Sequence, residues 1–318
     1  MYYAVTHLTD YHYDAAISDS VMELRMQPRN DDNQRSIRFH IDVSPDAKVL
    51  YHRDYLGNVV HTFDVSAPHT QLAIKAESIV EVKPPAALPD ALTMAAWDEI
   101  DARTNEDRDL YDMLLTGNFT QQTPLLAQFA AEIGWGERHT DPLTLLRMLN
   151  THIYEKFDYS QDVTQVDSPI DVALEARQGV CQDFTHIMLV LTRQVGIPAR
   201  YVSGYLSHRE GQQDRSLEDA SHAWVEVWLP GLEWVGLDPT NDLIVAERHI
   251  RVCLARDYAK ASPTRGVFKG VAQTTLGVRV QVSKLDELPI EDVELAPEIT
   301  MPHYSYYQAQ QQQQQQQQ

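Results

Sequence analysis

The strongest constraint on this chain is a change of hydrophobic period at Pro84, Pro85 and Pro89. Before them, apolar and polar residues alternate in MYYAVTHLT, SVMELRMQPR, SIRFHIDVSP, VVHTFDVSA and QLAIKAESIVEV. A period of two sends alternate side chains to one face, so these segments predict half-buried strands. Asp54 to Asn58 (DYLGN) reads as a hairpin turn in which Gly57 takes a positive φ. Several short strands at this spacing predict a small all-β sandwich over residues 1–85.

After the prolines the period lengthens. From about Leu92 to Leu149 the pattern is helical. Pro142 follows Asp141 as a first-turn proline, and Leu145, Met148, Leu149 and Ile153 share one helical face. A loop from Asp158 to Ser168 precedes a short helix near Asp171 to Glu175, and strand-like sequence returns at Ala199. Helices followed by mostly antiparallel strands make residues 86–289 an α+β unit. Residues 290–318 lose periodicity and end in a glutamine run from Gln310 to Gln318. Such low-complexity sequence is expected to be disordered and is given no part in the chemistry.

With 46 acidic against 26 basic residues the formal charge is −20. So negative a surface repels phosphate backbones and anionic headgroups, which argues against nucleic acid or membrane as a partner. The opening MYYAVTHLTD has neither a basic nor an apolar leader region, and no apolar run approaches a bilayer span. A cytoplasmic location is the expectation. Cys181 and Cys253 are the two cysteines. They provide neither a disulfide framework nor paired Cys/His spacing for zinc, so a lone thiol has to be weighed as a nucleophile.

Cys181 stands in RQGVCQDFTHIMLVLTRQVGIPAR, where Phe184, Ile187, Met188, Leu191 and Val195 recur at helical spacing. A buried helix is expected from about Cys181 to Gln194, with Gly179 freeing the backbone before it and Gly196 and Pro198 ending it. Cys181 then lies in the first turn, where unpaired N–H groups and the positive end of the helix dipole favour a thiolate and can hold an oxyanion. A cysteine in an arbitrary place is a small core residue, and Cys253, inside a strand, reads that way.

A nucleophilic thiol needs a base, and the base needs an orienting group. SHAWVEVWLP is an alternating strand beginning at His222, and EWVGLDPT returns after Pro230 and Gly231. A hairpin centred on Pro230 places His222 directly opposite Asp238 on one face, although a one-residue slip would separate them. Among the 13 histidines, His186 reads as a helix-surface residue and His208 as a loop residue. His152 and His249 have no acidic partner at an informative spacing.

GVCQDFTHIM, GIPARYVSGYL, SHAWVEVWLPGLEWVGLDPTN and HIRVCLARDYAKASPTRGVFKG together resemble the bacterial transglutaminase-like family. THLTDYHYD, LRMQPR, QRSIRFHIDVSP and DYLGNVVHTFDVSAPHTQLAIKAES resemble the β-rich region that precedes its core. The resemblance implies a papain-like transglutaminase core, with a helix-borne thiol against an antiparallel sheet. It makes Cys181 the nucleophile, His222 the acid/base and Asp238 the orienting carboxylate. Relatives place an aromatic or amide side chain upstream of the thiol to bind the oxyanion, and Tyr159 in FDYS is the candidate. Trp224 and Tyr205 are expected to wall the cleft or fill the core. Ala255 stands where a glycine is expected, and Lys260 where an acidic residue is, departures that bear on substrate fit.

The implied reaction is acyl transfer from amide bonds of peptides or proteins through a thioester. Water as acceptor makes a cysteine peptidase or amidase, and an amine makes a transglutaminase. Hydrolysis is preferred, since no acidic motif that would guide an amine stands out; a non-catalytic scaffold is the remaining alternative. No cofactor or metal is expected, and no carboxylate loop has calcium-binding spacing.

Overall fold

The computed structural model describes residues 1–208, 214–217 and 220–288; the glutamine-rich tail lies outside them. The first five strands are β1 (Tyr2–Leu24), β2 (Gln34–Ser44), β3 (Leu50–Arg53), β4 (Val59–Val65) and β5 (His69–Val82). The predicted turn joins β3 to β4: Asp54 exchanges backbone bonds with Asn58 and Gly57, and Gly57 has φ +76°. The long β1 serves two sheet sections. Its first half lies beside β5, and its second half pairs with β4. Tyr13, Ile17, Met22, Leu24, Phe63, Leu72 and Ile74 form a buried core for this all-β region.

The helices are α1 (Ala96–Glu106), α2 (Arg108–Asp112), α3 (Pro124–Glu132), α4 (Pro142–Lys156), α5 (Ile170–Ala176) and α6 (Cys181–Gln194). Asp141 caps α4, accepting from the N–H groups of Leu143 and Thr144 just outside Pro142. Leu145, Leu149 and Ile153 are buried as their spacing predicts, but Met148 is exposed. The buried arc of α4 is narrower than the apolar pattern, and the methionine lies past its edge.

Two short strands, β6 (Asp158–Tyr159) and β7 (Gln178–Gly179), pair in parallel just before α6. The main sheet of the core then follows: β8 (Ala199–Leu206), β9 (His222–Leu229), β10 (Glu233–Asp238), β11 (Leu243–Ile244) and β12 (His249–Ala255). Its order is β11-β10-β9-β8-β12, with all pairs antiparallel. Four residues, 245–248, carry the chain from one edge strand to the other, so the sheet curls on itself. α6 packs against β8 and β9, where Ala223, Val225 and Val227 meet Ile187, Met188 and Leu191. Trp224, Val202, Val245 and Leu254 form a separate cluster. Two glycines make room for it. A Cβ on Gly204 would meet the Trp224 ring at 2.6 Å, and one on Gly236 would meet Val245 at 2.5 Å.

The last two strands, β13 (Thr264–Lys269) and β14 (Thr274–Leu285), do not extend the core sheet. Both pair with β1, β13 along its second half and β14 along its first. A division at residue 85 therefore does not follow the sheets, because the strand at the start of the chain is completed by the chain's last described strands.

The all-β region also closes the free edge of β12. Gln34 accepts from the Arg251 N–H at 2.8 Å and donates to the Arg251 carbonyl at 2.8 Å. Asn58 does the same at Leu254, accepting at 2.8 Å and donating at 2.7 Å. Two side-chain amides thus supply the hydrogen bonds of a missing neighbour strand and leave no open edge there. Tyr205 adds a bond to His7 Nδ1 at 3.0 Å, so it fills the core and ties the two regions together.

Candidate active site

The α6 N-terminus carries Cys181 at the first helical position, half-buried. Asp183 builds this start. Its carboxylate accepts from the Val180 N–H at 2.9 Å and from Thr164 Oγ1 at 2.6 Å. Gly179 is required here for close approach, since a Cβ would lie 2.7 Å from Asp183 Oδ2. The Asp183 and Phe184 N–H groups turn back to the Val180 carbonyl at 3.0 and 3.2 Å. Among the described residues, the N–H groups of Cys181 and Gln182 have no acceptor. At the other end Gly196, with φ +84°, closes the helix as its position predicts.

His222 opens β9 and Asp238 closes β10, both buried. His222 Nε2 lies 2.8 Å from Asp238 Oδ2. The expected register is off by two. Leu229 faces Glu233, so the hairpin centres on Gly231 and Asp238 is a diagonal neighbour of His222. A shift of two keeps both side chains on the same face, and a shift of one would not have. Gly231 and Glu233 both take positive φ, which fits the three-residue loop Pro230–Leu232.

Asp238 is densely held. Oδ2 also accepts from Asn241 Nδ2 at 2.8 Å and from His249 Nε2 at 3.2 Å, while Oδ1 accepts from the Thr240 and Asn241 N–H groups at 3.1 and 3.4 Å. Burial opposes its charge, but His222 and these donors hold the carboxyl far below the usual carboxylate range. Burial would also lower His222, yet the Asp238 charge and hydrogen bond, with Cys181 adding, push it up to about 10. The second ring nitrogen, Nδ1, is buried and has no full hydrogen bond, and the thiol is the further partner acting on the ring. Cys181, His222 and Asp238 are thereby brought together.

Tyr159 lies opposite Gly179 in the β6–β7 pair, two residues before Cys181. Cys253 is the opposite kind of cysteine: fully buried, its Sγ turned to the Leu254 and Lys260 carbonyls, and its thiol pushed up to about 12 by burial. His186 is not a surface residue. It is buried, stacked on Phe119 with ring centroids 5.3 Å apart, and accepts from the Tyr258 N–H. His249 is the residue that sequence reasoning missed. It lies on β12, the edge strand on the far side of β8, and meets Asp238 only because the sheet curls. His222, Asp238 and His249 present donor atoms within 4.8 Å of one another, a set able to hold a metal ion, but here they are bonded to each other.

Residues 3–81 match the bacterial transglutaminase-like N-terminal region, and residues 128–239 match the transglutaminase-like superfamily core. An uncharacterized protein of Mycobacterium leprae is 34% identical over 282 residues, covering 88% of this chain and 98% of the relative. The chain belongs to the bacterial transglutaminase-like family. A second uncharacterized relative, from Mycobacterium tuberculosis, is 34% identical over 302 residues, covering 91% of this chain and 93% of its own. A protein-glutamine gamma-glutamyltransferase of Pseudomonas aeruginosa is 32% identical over 110 residues, 33% of this chain and 16% of that protein. A fold shared with a solved structure extends over nearly the whole chain. A proposed cysteine protease of Cytophaga hutchinsonii superposes with a TM-score of 0.71 at 19% identity, covering 93% of this chain and 95% of its own. No helix among the described residues is long and apolar enough to cross a membrane.

Proposed function

We propose that this transglutaminase-like protein is a thiol acyl-transfer enzyme that cleaves amide bonds of peptides or proteins. The observation that carries the reading is the buried His222–Asp238 pair beside a half-buried thiol at a helix N-terminus. His222 takes the thiol proton, and the Cys181 sulfur attacks the amide carbonyl carbon. The N–H groups of Cys181 and Gln182 receive the developing oxyanion, with the Tyr159 hydroxyl as a further donor. The C–N bond then breaks as His222 protonates the leaving amine. Water attacks the thioester, His222 accepts its proton, and the acid and free thiol are released.

A second reading replaces water by a primary amine. It is favoured by the segment shared with the Pseudomonas aeruginosa protein-glutamine gamma-glutamyltransferase. The first test is alkylation by iodoacetamide near neutral pH, with peptide mapping of the two cysteines. Cys181 should react at least about tenfold faster than the buried Cys253, and His222→Ala should slow Cys181 itself by about tenfold or more. Equal rates, or indifference to His222→Ala, would overturn the nucleophile assignment. Glutamine peptides incubated with and without a primary amine then separate the acceptors. Ammonia release or cleavage alone supports hydrolysis, and stable amine incorporation establishes transfer. Tyr159→Phe should lower the acylation rate by about 10²–10³ if its hydroxyl faces the oxyanion.

A further inference from the structure

We infer that His249 is a positioning residue for the acyl-transfer site: a neutral imidazole that fixes Asp238 and leaves the carboxylate's charge to His222. This inference rests on the thiol-enzyme reading above. The geometry assigns the tautomer. His249 Nδ1 accepts from the Ala246 N–H at 3.4 Å, so Nε2 carries the proton and donates it to Asp238 Oδ2 at 3.2 Å.

Two imidazoles facing one carboxylate could compete for its single negative charge. Here they are not equivalent. A second proton on His249 would have to replace the Ala246 N–H at Nδ1, bringing an N–H against an N–H. The charged groups acting on the ring are Asp238, His222 and Arg248, and burial leaves His249 lowered while His222 is raised. Arg248 is itself paired with Asp214 at 2.7 Å. A proton entering this cluster therefore settles on His222, the ring next to the thiol.

His249 also restricts the carboxylate. With Asn241 and the two backbone N–H groups it surrounds both oxygens of Asp238 beside the His222 bond. Rotation of the carboxyl group would break several of these bonds together, so the plane of Asp238, and with it the direction of the His222 ring, is set from behind. Outer partners of this kind in other sites alter activity by about 10–100-fold when removed.

A purely structural role is the competing explanation, because the His249 ring packs edge-on against Trp224 with centroids 5.2 Å apart. Two substitutions in the full chain separate the roles. His249→Phe keeps an aromatic ring on Trp224 and removes the donor, whereas His249→Gln keeps a donor and gives up the ring. The readout is the rate of Cys181 alkylation and of acyl release from an activated ester, with thermal unfolding as the check on folding. The positioning role predicts a loss of about 10–100-fold in His249→Phe and retention within about fivefold in His249→Gln. Equal rates in His249→Phe and the parent, or rescue by Phe and not by Gln, would overturn it. If parent Cys181 reacts no faster than Cys253, the thiol-enzyme reading itself fails; a reactive parent thiol with an unaffected His249→Phe sinks this inference alone.

Discussion

Asp238 receives five hydrogen bonds while fully buried, and this density gives the pair it forms with His222 a definite pH signature. His222 rises from 6.5 to about 10 on folding, so its share of stability is fully present below pH 6.5 and is lost as pH rises through about 10. Asp238 falls below its ordinary 3.8, so its share is present above that value and is lost as pH falls through the lower folded value. Burial holds His7, His61, His186 and His249 below 6.5, so each costs stability as pH falls through that value, and thermal unfolding should peak near about pH 6.5 with a decline towards pH 10. His222→Gln should flatten the alkaline limb, and an unchanged limb would show that another group causes it. At this scale the sequence was informative about the helix-borne thiol and about the shared face of His222 and Asp238. His249 was not legible, since its contact with Asp238 depends on sheet curvature and not on spacing along a hairpin.

At the scale of elements, α6 was readable to its ends because its buried stripe, the glycine after it and the proline beyond all mark the same limits. The β9–β10 register was not readable, because the turn residues allow more than one loop length and only parity is protected by burial. The closure of β12 was equally hidden. Asn58 looked like the last residue of a turn, yet its amide serves the backbone of Leu254 almost two hundred positions away. Asn58→Ala should leave the buried Leu254 N–H and carbonyl without partners and cost about 1–3 kcal/mol. Asn58→Gln should not restore it, because the longer side chain overshoots. Urea unfolding of the two variants beside the parent would measure this, and a change below about 0.5 kcal/mol, the usual range at unimportant surface sites, would mean the edge is not held by this amide.

At the scale of the molecule, the all-β region was legible from its alternating segments, although MYYAVTHLT and SVMELRMQPR both contribute to the single strand β1 and the short β3 was not among them. The region's membership was hidden. β14 has an ordinary alternating pattern, and nothing in it names β1 as its partner. Val280 faces the core from β14 and is 2% exposed, opposite His7 in register. Val280→Asp would bury an unpaired carboxylate and should detach the strand, at a cost of several kcal/mol. Limited proteolysis should then cut within residues 264–285 before the core is digested. Protection equal to the parent's would show that β14 is held by other contacts.

The pairing of Tyr2 with Leu285 sets a schedule for synthesis. β14 leaves the ribosome only after β1 and every core strand between them, so β1 waits through their synthesis with one side unclaimed. α6 and its curled sheet can collapse while this edge is still open, but the region that buttresses them is completed only when β14 arrives. Until then β1 is the surface on which a nascent chain would meet another ribosome's product, and a pause in translation before β14 would prolong that exposure.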